Sequence, residues 1–77
     1  MAQATLIKIE YTNGATKEIR TNKMADHYTL VHVTGRCSRI NAVRAKMDLE
    51  FFDHLCNEGQ AKLVFMDEAA VARIRSR

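Results

Sequence analysis

The sequence predicts an α+β domain. It should hold a small antiparallel sheet, made of an N-terminal hairpin and two further strands, with one long helix and a short C-terminal helix, in the order β-β-β-α-β-α. Three observations carry this. Asn13-Gly14 sits between two alternating runs, a strong local hairpin signal. Ile40, Val43, Met47, Phe51 and Leu55 recur at intervals of three or four, a helical stripe. Asp67-Glu68 opens, and Arg73, Arg75 and Arg77 close, a last short segment whose charges suit both ends of a helix.

The hairpin covers residues 5–20. A two-residue loop at Asn13-Gly14 would put Ile7 and Ile9 on one face of the sheet and Ile19 on the other. A three-residue loop, Thr12-Asn13-Gly14, pairs Tyr11 with Ala15 and Ile7 with Ile19, so that Ile7, Ile9, Tyr11, Ala15 and Ile19 share a face with Lys17 as the exception. Because a one-residue slip moves every side chain across the sheet, the apolar pattern selects the three-residue loop, with Gly14 in the left-handed conformation.

Residues 21–26 read as a connection with room for one helical turn. Residues 27–34, rich in β-branched and aromatic side chains and stopped by Gly35, read as a third strand with Thr29, Val31 and Val33 on one face and Tyr28, Leu30 and His32 on the other. The stripe from Ile40 to Leu55 predicts one helix over residues 38–57, with Ser38 as N-cap and Gly59 as stop. Arg36, Arg39, Arg44 and Lys46 crowd its first half, and Asp48, Glu50, Asp53 and Glu58 its second. That order opposes the helix dipole by about 0.3–1 kcal/mol per exposed terminal charge. The alternative is a strand over 39–47 and a short helix capped by Asp48, with Met47 and Phe52 as its hydrophobic staple. Its alternation is poor, so the continuous helix is favoured, with any kink near Asp48. Phe51 and Leu55 belong to the stripe and should be core. Phe52 lies off it, and is assigned to the core rather than to an interface. Residues 61–66 read as a buried fourth strand. Residues 67–74 form the last helix, capped by Asp67, with Ala70, Val71 and Ile74 facing inward.

Seventy-seven residues make a single domain, 1–77, which buries roughly 60% of its unfolded surface, so oligomerisation or binding would add stability. With 47% apolar and 27% charged residues and no proline, the chain is globular rather than disordered, and no linker divides it. The opening residues do not resemble a signal peptide and no apolar run spans a membrane, so Cys37 and Cys56 are expected as free thiols in a reducing cytoplasm.

The residues that could carry chemistry fall short of a catalytic set. His27, His32, Cys37, His54 and Cys56 lack metal-ligand spacing, so no metal and no cofactor are expected. Cys37 lies beside Arg36 and Arg39, but a phosphate loop would need an arginine six positions on, where Val43 stands. Arg36, Ser38 and Arg39 at a helix N-terminus form an anion-binding candidate, weighed against three solvated loop residues. The acidic block from Asp48 to Glu58 is read as a solvated helix face.

The net charge of +3 is mild and permits an acidic partner without demanding one. The expected function is therefore a small, intracellular, non-enzymatic binding module: an inhibitor, adaptor or regulator, by analogy of size with small phage-type regulators. It would dock on a macromolecular partner, protein in preference to nucleic acid, through Arg36, Arg39, Arg44 and Lys46, with Arg73, Arg75 and Arg77 second. No membrane contact is expected, and homodimerisation is left open. A nucleic-acid-binding regulator using the same basic residues is the alternative.

Overall fold

The structure is a computed structural model and describes residues 4–21 and 27–76. The elements are β1 (Ala4–Tyr11), β2 (Thr16–Thr21), β3 (Tyr28–Val31), β4 (Cys37–Ile40), α1 (Ala42–Asn57), β5 (Ala61–Met66) and α2 (Glu68–Arg75). The fold class is the one expected, α+β with an antiparallel sheet. The strand count is one higher, giving five strands in the spatial order β4-β3-β2-β1-β5.

The first hairpin has the register the apolar pattern selects: Ile7 faces Ile19, Lys8 faces Glu18 and Glu10 faces Thr16. The Tyr11 N–H donates to the Ala15 carbonyl at 2.7 Å, and Gly14 closes the three-residue loop at φ +88°. The third strand keeps its predicted faces but is shorter, Tyr28–Val31, with Leu30 buried opposite Ile19. The predicted connection before it falls mostly on residues 22–26, outside the described residues.

The largest correction lies between Val33 and Asn41. Here the continuous helix from Ser38 is replaced by a second hairpin. The His32 N–H donates to the Arg36 carbonyl at 2.8 Å, Gly35 takes φ +87°, and residues 37–40 pair with β3 as Val31 with Cys37 and Tyr28 with Ile40. Val33-Thr34-Gly35 thus repeats the geometry of Thr12-Asn13-Gly14. The N-cap of α1 is Asn41, not Ser38: its Oδ1 accepts from the Arg44 N–H at 2.9 Å. From there α1 is unbroken through Asp48. It ends as expected around Gly59, with Gln60 N–H on the Leu55 carbonyl and Gly59 N–H on that of Cys56, a Schellman closure.

Both helices lie over one face of the sheet. The core between the layers holds Leu6, Ile7, Ile9, Ile19, Leu30 and Ile40 from the strands, Ala45, Leu49, Phe52 and Leu55 from α1, and Ala70, Val71 and Ile74 from α2. A bulge at Leu6 turns both Leu6 and Ile7 inward. The last helix matches its prediction: Asp67 Oδ1 accepts from the Ala70 N–H at 3.2 Å, and Ala70, Val71 and Ile74 are buried.

β5 is a strand as expected but not a buried one. It forms an edge of the sheet, and Leu63, Val64 and Phe65 are exposed there.

Candidate binding surface

α1 carries two apolar stripes on opposite sides. Ala45, Leu49, Phe52 and Leu55 face the sheet and are buried. Val43 and Met47 face away from it and are 70% and 59% exposed, and Phe51, four residues on, lies at the flank over Lys17 of β2 and is 47% exposed. The stripe expected to be core is therefore the outer one, except for Ile40 and Leu55, while Phe52 is core as assigned. The helix needed only one apolar face against the sheet, and Ala45 is small enough to let its backbone approach closely.

Charges frame the outer stripe. The Lys17 ammonium lies 5.7 Å from the centre of the Phe51 ring, a cation–π contact that accounts for a lysine on the apolar face of β2. Arg44 Nε reaches Asp48 Oδ1 at 3.4 Å, one turn along the helix. Arg75 of α2 reaches Asp53 Oδ1 at 2.9 Å on the flank of α1. Burial pushes the Cys56 thiol up, and the Asp53 charge adds to this.

The expected basic face does not assemble as one surface. Arg39 alternates with Ile40 on β4, so it lies on the open side of the sheet, opposite the helices, with its guanidinium 3.2 Å from His27 Nδ1. Arg36 sits exposed in the β3–β4 loop. Arg44, Lys46, Arg73 and Arg75 belong to the helix layer. Arg44 and Arg75 are already on carboxylates of the same molecule, Lys46 also makes an interaction within it, and Arg77 lies outside the described residues. The anion candidate Arg36, Ser38 and Arg39 loses its premise, since no helix begins there. Ser38 is in mid-strand with its hydroxyl 2.8 Å from His32 Nε2, and Ser38 and Arg39 point to opposite faces.

Where β1 and β2 meet, the open face of the sheet is polar, with Thr5, Lys8, Glu10, Thr16, Glu18 and Arg20. Glu18, buried there, accepts from Thr5 Oγ1 at 2.9 Å and from Arg20 Nη2 at 3.2 Å. Burial alone would raise its carboxyl. The hydrogen bonds from Arg20 and Thr5 and the charges of Arg20 and Lys8 more than offset this, and hold it below the usual value. Glu10 accepts an ion pair from Lys62 of β5 at 3.3 Å.

Among the described residues, no group of three or more His, Cys, Asp and Glu side chains gathers as metal ligands would, and no helix is long and apolar enough to cross a membrane. Cys37 and Cys56 are unbridged. A wide, open hollow of about 590 Å³ lies where the first hairpin turn meets the loop before β5, with Lys17 and Tyr11 on its walls. Compared with known proteins, the chain matches no family model, no curated protein and no solved structure.

Proposed function

We propose that the chain is a small non-enzymatic binding module, an inhibitor, adaptor or regulator, that docks on a protein through the outer face of α1. The observation that carries this is the row Val43, Met47 and Phe51. A helix this short already buries a full apolar face, and a second one left in water is what a helix-in-groove contact reads as anchors at i, i+4 and i+8. Lys17 beside the row, with the net charge of +3, favours a groove with an acidic rim. Arg36, Arg39 and Arg73, exposed and with no carboxylate partner among the described residues, act as secondary contacts that steer association rather than fix it. Two unbridged thiols suit a reducing, cytoplasmic setting.

Affinity capture from the native cell with three proteins tests this. The wild type and an Arg36→Ala/Arg39→Ala/Arg73→Ala variant should retain the same species, the variant more weakly, and Met47→Glu should lose it at least tenfold. Equal capture by Met47→Glu overturns the assignment. The nucleic-acid alternative is checked by a gel-shift on generic duplex DNA and RNA at two salt concentrations, where binding through phosphates would fall steeply and log-linearly with salt.

A further inference from the structure

We propose that β5 joins a second copy of this chain, strand against strand, to make a symmetric dimer with one continuous sheet. The two edges of the sheet differ in a way that points to β5. β4 has four residues, of which Cys37, Ser38 and Arg39 are exposed, and a short strand carrying a charge is a protected edge. β5 has six, and three consecutive apolar side chains, Leu63, Val64 and Phe65, are 50%, 51% and 49% exposed. An apolar edge of that length is a template for pairing with another strand.

The occupant is a second copy because β5 is complementary to itself in one register. On its inner side, Ile9 faces Leu63 and Lys8 faces Phe65, so Val64 is the extra residue of a bulge. The bulge shifts the alternation. Leu63, opposite Ile9, and Met66, opposite Ile7, both turn toward the helices although they are three apart, while Lys62 and Phe65 turn to the open face. In a regular strand, residues three apart lie on opposite faces and could not meet across a two-fold axis. Here they can. An antiparallel joint centred between Val64 and Phe65 sets Leu63 against Met66 of the second copy and Val64 against its Phe65.

The same register brings Lys62 at each end across from Asp67 of the second copy. Lys62 is mostly exposed and pairs with Glu10, and Asp67 is exposed with Oδ1 occupied by the α2 cap. Apolar overlap, face and charge thus agree on a single pairing, and the two lysines are kept apart. The two five-stranded sheets become one of ten, with the helices of both copies on the same side and both outer α1 stripes left free. A joint one strand wide falls short of the about 800 Å² per partner of a standard stable interface, so the dimer is concentration-dependent.

Sedimentation equilibrium from micromolar to millimolar protein tests this directly. The wild type should shift from monomer to dimer across that range. Val64→Lys should stay monomeric with an unchanged melting curve, because Val64 is no part of the core. If Val64→Lys melts early, Phe65→Lys serves in its place. A wild type monomeric throughout, or a dimer that survives both lysine variants, overturns the joint. So does a dimer dissolved instead by Met47→Glu, which would place the second copy on α1.

The register is read in a Cys37→Ser background. A mixture of Leu63→Cys and Met66→Cys proteins should cross-link on mild oxidation, and Leu63→Cys alone should not, because the two Leu63 positions lie about 10 Å apart along the strands. Efficient cross-linking of Leu63→Cys with itself overturns the register.

Discussion

The two faces of α1 carry similar side chains and have opposite surroundings. Ala45, Leu49, Phe52 and Leu55 are enclosed between sheet and helix layer, whereas Val43, Met47 and Phe51 stand in water. Phe51 and Phe52 are neighbours in the chain, yet Phe52 is 1% exposed and holds the fold together, whereas Phe51 is 47% exposed with Lys17 over its ring. Apolarity with helical period therefore marks a surface that must meet something, without saying whether the partner is the molecule's own sheet or another molecule. Volume decides which stripe turns inward: the inner one combines a small Ala45 near the start with large residues further on, and so fits a helix lying across a twisted sheet.

The contrast is sharpest in a pair of alanine substitutions. Phe52→Ala should cost about 3–5 kcal/mol in urea unfolding, much of the stability of a chain this size. Phe51→Ala should cost less than about 0.5 kcal/mol while weakening partner capture. Comparable losses from both would break the assignment of inner and outer faces.

The opposite side of the sheet supplies a control that should leave the outer stripe untouched. Glu18→Gln removes a charged acceptor and should cost about 1–2 kcal/mol at neutral pH. Because the Glu18 carboxyl is held below its ordinary value of 4.5, its contribution is complete above that pH and is lost as the pH falls through its folded-state value. Melting curves of wild type and variant should therefore converge in acid, and a constant gap would refute the role given to its hydrogen bonds.

Smaller effects act on α1 as a whole or on one face only. Asn41→Ala removes the cap that the sequence pattern had placed at Ser38, and should cost about 1 kcal/mol, whereas Ser38→Ala should leave helix stability unchanged. Lys17→Ala should change stability by no more than about 0.5 kcal/mol and release the Phe51 ring, visible as altered ring relaxation by NMR.

The two hairpins show why part of the fold was legible and part was not. They share one loop geometry, with a glycine at positive φ in third place. In both, the middle side chain accepts from the backbone two residues on: Asn13 from Ala15 at 3.0 Å, and Thr34 from Arg36 at 3.5 Å. Asn13-Gly14 announces itself, because asparagine is a turn former between well-alternating strands. Val33-Thr34-Gly35 does not, because valine and threonine also extend a strand, and β4 buries only Ile40. Missing β4 moved the helix start three residues too early and made Arg39 and Arg44 look like neighbours on one helix, when the sheet lies between them.

α2 was readable throughout because cap, dipole and stripe agree within eight residues. The exposure of β5 was not, because an apolar run looks alike in the middle of a sheet and at its rim. Only the order of strands, a long-range property, sets it there.

That order has a bearing on how the molecule assembles. Strands β2, β3 and β4 each lie beside the strand before them in the chain, but the chain must then travel the full width of the sheet along α1 before β5 reaches β1. The closing ladder between first and last strands is the one with the greatest loop entropy against it. Pulse-labelled hydrogen exchange should find the β1–β2 amides protected early in refolding and those of β5 last. Newly made chains would then pass through a stage in which β1, not yet shielded by β5, is itself an open edge.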